Sequence, residues 1–279
     1  MVPKLIFSIL ISLLTHMSFA QQFTFMTYNI RYGTARDGEN SWEFRKNGLA
    51  EQIKFYEPDV FGIQEGLEFQ VEYLDSALSE YNYYGVGRDD GQTKGEYSAV
   101  FYKKNKFNVL NNGTFWLSQT PGEISTGWDA QLPRVCSYMV LENKVEGEKI
   151  AVFNTHFDHV GEEARKESAR LIIQKIQEIK PADAAVVLMG DLNLEPQTEP
   201  IKYLSKNLTD ARLSSKEVTF GPEGTFTGFN FTEPPERRID YIFTDPDRIE
   251  VIKYAVLTDS KDNKYYSDHL PVYVEVNIK

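Results

Sequence analysis

The chain has 279 residues, with 30 basic and 41 acidic side chains and a formal charge of −11. That balance argues against tight, non-specific binding to a polyanion such as bulk duplex DNA, which draws on many Lys and Arg contacts to phosphate. Cys136 is the only cysteine, so an intramolecular disulfide is excluded and stability rests on an apolar core, which 41% hydrophobic and 13% aromatic residues can supply.

Residues 1–20 read as a cleaved secretory leader. Lys4 forms a short basic region, Leu5 to Leu14 is apolar apart from two serines, and Ser18-Phe19-Ala20 is a small-x-small site before Gln21. A membrane anchor is the rival, but the run falls short of the ~20 apolar residues a spanning helix needs. No cysteine follows the cleavage site, which argues against a lipid anchor. The expected location is therefore secreted or periplasmic. Lys4 is the only charge lost with the leader, so 29 basic side chains face 41 acidic ones and the balance becomes −12. Residues 21–279 carry no internal repeat and no low-complexity linker. One continuous domain is expected, as a monomer.

Phe23 to Ile30 alternates as a strand. Ser41 is placed to cap a helix with Leu49, Ile53 and Tyr56 on one face, stopped by Pro58. Val60 to Gln64 is a short buried strand, and Val71, Leu74 and Leu78 mark a second helix. Strands follow at Tyr97 to Tyr102 and Phe107 to Leu110. Val135 to Leu141 and Ile150 to Asn154 pair around the turn at Glu146-Gly147-Glu148. Glu162 to Lys180 is the longest helix, with Ala169, Ile172, Ile173, Ile176 and Ile179 facing inward. Ala184 to Met189 is a wholly apolar strand. Ile239 to Phe243 and Val272 to Ile278 are the last strands. Strands dominate and helices lie between only some of them, which predicts an α+β or mixed α/β fold with two sheets.

Polar residues suited to chemistry sit at the ends of these apolar runs. Asn29 and Glu65 each follow a strand and offer hard oxygen ligands of the kind Mg²⁺ takes, with Mn²⁺ also compatible. In Gly190-Asp191-Leu192-Asn193 the glycine allows a sharp turn, and Asp191 and Asn193 then project to one side. Asp268-His269 precedes Pro271, where the last strand begins. His156 lies three residues before His159, a spacing compatible with zinc. However, the other candidate ligands are nearly all oxygen donors, which disfavours zinc. A histidine oriented by a carboxylate can instead steady a phosphate or move a proton. Glu96 and Asp240 are the acids available to orient one.

The ordered set Asn29, Glu65, Arg134, His156, Asp191, Asn193, Asp240, Asp268 and His269 resembles the endonuclease/exonuclease/phosphatase superfamily, which includes deoxyribonuclease I, exonuclease III and sphingomyelinases. The resemblance implies a four-layer sandwich of two mixed β-sheets flanked by helices. It also implies roles. Glu65, with Asn29 and Asp268, resembles the metal site. Asp191 resembles the group that deprotonates the attacking water, and Asn193, His269 and Arg134 resemble phosphate ligands. Asp240 would orient His269, and Glu96 would pair with His156. Where His156 stands the abasic-endonuclease branch usually has a tyrosine, which tilts the reading away from DNA repair. Asp37-Gly38-Glu39-Asn40-Ser41-Trp42, Gly87-Arg88-Asp89-Asp90-Gly91 and Gly127-Trp128-Asp129-Ala130 are similar to stretches in a group of secreted bacterial proteins. Trp128, Phe229 and Phe231 are candidates for a substrate lip.

The expected protein is thus an exported Mg²⁺-dependent phosphoesterase. Its expected substrate is a small phosphodiester or phosphomonoester, such as a sugar, inositol or lipid headgroup phosphate. The alternatives are an extracellular endonuclease and a catalytically inactive binding module on the same fold.

Overall fold

Two βαβ units set the architecture. β1 (Gln22–Asn29) runs through α1 (Trp42–Tyr56) into a parallel partner, β2 (Val60–Gln64). The chain continues through α2 (Glu68–Ala77), β3 (Tyr81–Tyr84), β4 (Val100–Lys103), β5 (Phe107–Trp116) and β6 (Val135–Asn143). The second unit is β7 (Lys149–His156), α3 (Glu162–Ile179) and β8 (Ala185–Asp191), again parallel. α4 (Glu199–Asn207), β9 (Thr209–Asp210), α5 (Ala211–Ser214), β10 (Asp240–Thr244), β11 (Ile249–Val256), the short hairpin β12 (Ser260–Lys261) and β13 (Lys264–Tyr265), and β14 (Val272–Ile278) complete the chain. This computed structural model describes residues 22–279, so the leader expected over residues 1–20 lies outside the described residues.

The strands form two six-stranded mixed sheets, ordered β11-β14-β1-β2-β4-β3 and β5-β6-β7-β8-β10-β9. Side-chain alternation splits each sheet between two cores. Phe23, Phe25, Val187, Met189 and Val274 fill the space between the sheets. On the outer face of the first sheet, Met26, Tyr28 and Ile63 meet Leu49 and Ile53 of α1 and Val71 and Leu74 of α2. On the outer face of the second, Val186, Leu188 and Phe153 meet α3 and α4. The result is helices, sheet, sheet, helices. In α3 the buried Ala169, Ile172, Ile173 and Ile176 recur at i, i+3, i+4 and i+7.

Several elements differ from the sequence reading. Ser41 does sit at the N-cap of α1, but its hydroxyl donates to Gly38 O at 2.7 Å instead of accepting from the helix. β5 runs six residues past Leu110, through Asn111, Asn112 and Gly113. Those are weak strand formers, held in place by pairing with β6 past a bulge between Val109 and Asn111. β11 went unread, although Ile249, Val251, Tyr254 and Val256 are buried. No helix among the described residues is long and apolar enough to cross a membrane.

One polar cluster interrupts the apolar seam between the sheets. Asn154 of β7 donates to Ile63 O and Ala99 O, both at 2.9 Å, and accepts from Gln64 Nε2 at 2.6 Å. Gln64 also donates to Thr27 at 3.0 Å. Gly62 makes room: a Cβ there would come within 2.5 Å of the Asn154 carboxamide. Gly62→Ala should therefore force Asn154 off its acceptors and lower stability by about 1–3 kcal/mol. Urea unfolding checks this, and an unchanged midpoint would rule out the cluster as a lock between the sheets.

Candidate active site

Strand direction brings the polar residues to one pole. Asn29, His156 and Asp191 end the parallel strands β1, β7 and β8, and Glu65 follows β2. β10 and β14 run antiparallel to β8 and β1, so their starts bring Asp240 and the Asp268-His269 pair to the same end. Asp240 lies directly opposite Asp191 in the register, and so does His156. The chain can turn into Asp191 because residue 190 is glycine. Its φ is +147°, and a Cβ there would meet Thr155 O at 2.0 Å.

Asp191 Oδ2 is the point of convergence. It accepts from Asn29 Nδ2 at 2.9 Å and lies 3.5 Å from His156 Nε2 and 3.7 Å from His269 Nε2. Its other oxygen accepts from Asn193 N at 2.9 Å. Asn29 Nδ2 also donates to Glu65 Oε1 at 3.0 Å, while the Asn29 carbonyl accepts from Arg31 N at 3.0 Å. That backbone bond fixes which way the amide points. Asn29 thus positions the two carboxylates and turns its oxygen away from them. Glu65, Asp191 and His269 place ligand atoms within 4.8 Å of one another. Asp268 is not in that group; its carboxylate lies 3.7 Å from Arg31 Nη1.

The two histidines have opposite electrostatic surroundings. His269 Nδ1 lies 2.8 Å from Asp240 Oδ2, which also accepts from Thr225 Oγ1 at 2.6 Å. Burial pulls the His269 imidazole down, but Asp240 and Asp191 together outweigh it and raise its pKa to about 10. His156 is pushed the other way, to about 3, by burial and then by Arg134. Asp191 and Glu96, 3.5 and 3.7 Å from its ring nitrogens, do not offset this. Arg134 Nη1 sits 3.1 Å from His156 Nδ1. Asn193 Nδ2, also a donor, sits 3.0 Å from Nε2, so both ring nitrogens of the neutral imidazole face donors, and Nε2 also faces Asp191 at 3.5 Å. Burial, and next Asp240, raise the Asp191 carboxyl above the ordinary range.

Glu96 lies 3.7 Å from His156 Nδ1, and it is also gripped by the two terminal nitrogens of Arg88, at 2.7 and 3.0 Å. Arg134, expected to grip phosphate, is buried; it pairs with Asp158 at 3.3 Å and reaches His159 Nδ1 at 3.0 Å. Asn193 donates to Phe157 O at 3.1 Å, beside His156. Sequence reasoning missed Thr225, Asp158, Arg31 and Arg88. The first two lie in loops with no periodic signal, Arg31 stands just past the end of β1, and Arg88 sat in a stretch noted only for likeness.

Residues 26–269 match the Endonuclease/Exonuclease/phosphatase family. The chain belongs to it. Members are phosphoric ester hydrolases, among them nucleases, phosphodiesterases and phosphatases, and are typically dependent on a divalent metal. A family protein of known structure from Bacteroides thetaiotaomicron aligns with a TM-score of 0.89 at 36% identity, over 93% of this chain and 98% of that one. A mannosyl-6-phosphatase from the same organism gives 0.87 at 38% identity, over 91% and 99%. The CCR4-Not 3′-5′-exoribonuclease subunit Ccr4 of Mycosarcoma maydis is 23% identical over 93% of this chain and 51% of its own length. The chain spans between 37% and 62% of the first curated relatives it matches.

The histidines make a stability prediction for protein kept in EDTA. The raised pKa of His269 means that the folded state holds a proton which the unfolded chain releases near pH 6.5. Its contribution is complete below that pH and is lost as pH rises toward about 10. The lowered pKa of His156 makes folding increasingly costly as pH falls from 6.5 toward about 3. His269→Gln should flatten the alkaline limb of the stability profile and His156→Gln the acid limb. Unchanged limbs in both variants would refute these assignments.

Proposed function

We propose that this protein is an exported, Mg²⁺-dependent phosphatase of small sugar phosphates. The observation that carries the reading is how the arginines near the site are engaged. Arg31 pairs with Asp37, Arg88 with Glu96 and Arg134 with Asp158, so their charge is met inside the protein. No basic track is left among them for a long polyanion, which fits the overall charge of −11. A compact phosphate needs less. The similar protein of known structure named as a mannosyl-6-phosphatase supports a sugar monoester as the substrate class. The leader-like residues 1–20 support export.

The donor set fits a hard cation. Glu65 and Asp191 are carboxylates a few ångströms apart, and Mg²⁺ usually takes one or two from a protein. Bound there, the ion would neutralise charge on the phosphate as the ester breaks. Glu65 would be its principal protein ligand. Asp191 would take the proton from a water as that water's oxygen attacks phosphorus. His269, held cationic by Asp240, faces the developing phosphate charge. Asn193, whose amide nitrogen lies 3.0 Å from His156 Nε2, offers a donor on the same side. The bond from phosphorus to the sugar oxygen breaks, and the alcohol leaves with a proton from solvent.

Asp191→Asn should cut turnover by about 10²–10⁴-fold with little change in substrate affinity, because the amide fits but takes no proton. Glu65→Gln should raise the Mg²⁺ concentration needed for half-activity, and added Mg²⁺ should restore part of the rate. Phosphate release from sugar monoesters, small diesters, single-stranded RNA and plasmid, each with and without EDTA, tests the substrate class. Rapid nicking or RNA decay that Asp191→Asn abolishes, with no monoester turnover, would replace this reading with a nuclease.

A further inference from the structure

A cavity of about 520 Å³ opens between the start of α1 and the β12–β13 hairpin. Its floor is Arg45, which is 4% exposed. Arg45 donates to the carbonyls of Asn40, Ile30, Arg31 and Tyr266. Ile30 and Arg31 directly follow Asn29, and Tyr266 stands three residues before His269. The floor is therefore the same backbone that carries the phosphate site, and a three-residue span covers at most about 11 Å.

The walls are aromatic and amphipathic. Phe44 is 76% exposed at the rim. Tyr265 is half-exposed and packs at 5.0 Å on the ring of Phe231, itself on the surface. Tyr266 lies on Gly48, where a Cβ would come within 2.2 Å of its ring. Behind the floor, the Phe229 ring meets the Arg45 guanidinium at 5.8 Å, and Phe229 holds a φ of +63°. A bulky residue in the left-handed region stores strain, and such strain gathers at binding sites. Glu39 and Lys264 pair at the mouth, and Glu51 and Asp262 add acceptors. Aromatic faces set among carboxylates match the two chemistries of a sugar ring, its C–H face and its hydroxyl edge. The charged lining is balanced, with Glu39, Glu51 and Asp262 against Arg45, Lys261 and Lys264, so it offers donors and acceptors for hydroxyls and no single-sign track for a polyanion.

We propose that this cavity is a saccharide subsite that holds the glycan beyond the phosphate, so that the preferred substrates are phosphorylated oligosaccharides. The proposal rests on the sugar-phosphatase reading, and its test separates the two. Neutral mannotriose is titrated into the full chain by NMR or calorimetry. In parallel, kcat/KM is compared for mannose 6-phosphate and a mannotriose 6-phosphate. Mannotriose should bind saturably, and Phe44→Ala and Tyr265→Ala should each weaken it by about tenfold. The trisaccharide ester should exceed the monosaccharide by about fivefold or more in kcat/KM, since remote binding energy is returned in the transition state. That ratio should fall toward one in both variants, a result that a general loss of activity would not produce. Absence of mannotriose binding, or binding unaffected by both substitutions, overturns the subsite. Turnover of mannose 6-phosphate with no mannotriose binding would leave the phosphatase reading standing alone. Mannotriose binding lost in the variants, with neither ester hydrolysed, would uphold the subsite and remove the catalytic reading.

Discussion

The hydrogen bond from Asn29 Nδ2 to Asp191 Oδ2 crosses from one sheet to the other. Asn29 belongs to the first sheet and Glu65 directly follows its strand β2, whereas His156, Asp191 and Asp240 belong to the second. Neither sheet owns a complete site, so the geometry of the chemistry is the geometry of sheet packing. An apolar seam by itself is a soft determinant of registration, because apolar contacts are not directional. The Gly62–Asn154–Gln64–Thr27 cluster supplies direction just inside the site. A buried carboxylate such as Asp191, 1% exposed, also demands donors, and it takes them from both sheets. The fold and the site thus constrain each other.

That shared constraint explains the contrast between the two histidines. Each is buried, which alone would leave both neutral. His269 is backed by Asp240 and becomes a cation, whereas His156 is backed by Arg134 and stays neutral. Asp191 lies between them and gains basicity from its burial and from Asp240. Groups of like chemistry pushed apart by their neighbours mark a division between proton acceptor and charge stabiliser.

Much of this was legible in the sequence. Strand ends such as Gly190-Asp191-Leu192-Asn193 carry both the period-two apolar signal and the polar residue that follows it, so position and chemistry could be read together. The two-sheet class and the amphipathic face of α3 followed from periodicity in the same way. What could not be read was partnership. Glu96 was placed beside His156, yet it is also held by Arg88, and Arg134, expected on phosphate, lies against His156 and Asp158. These pairings depend on loop paths that no local pattern encodes. Thr225 is a further case: its hydroxyl donates to Asp240, closing the chain behind His269, but in sequence it is one threonine in a turn-rich stretch. β5 beyond Leu110 was hidden because tertiary pairing overrides the poor propensity of Asn-Asn-Gly.

The strand ends supply the reacting groups, so the loops are left to decide what is bound beside them. Two of those loops carry a bulky aromatic residue in the left-handed region, Trp128 at +50° and Phe229 at +63°. Glycine would adopt either conformation at less cost. Surrounding contacts hold both in place: Gln119 accepts from Trp128 N, and Thr227 Oγ1 accepts from Phe229 N. Thr227 in turn donates to Asp268 O, tying the Phe229 loop to the backbone beside His269. The Phe229 loop is therefore referenced, bond by bond, to the backbone beside His269. A ligand bound against that loop would be held in register with the candidate site by the same contacts that hold the site itself together.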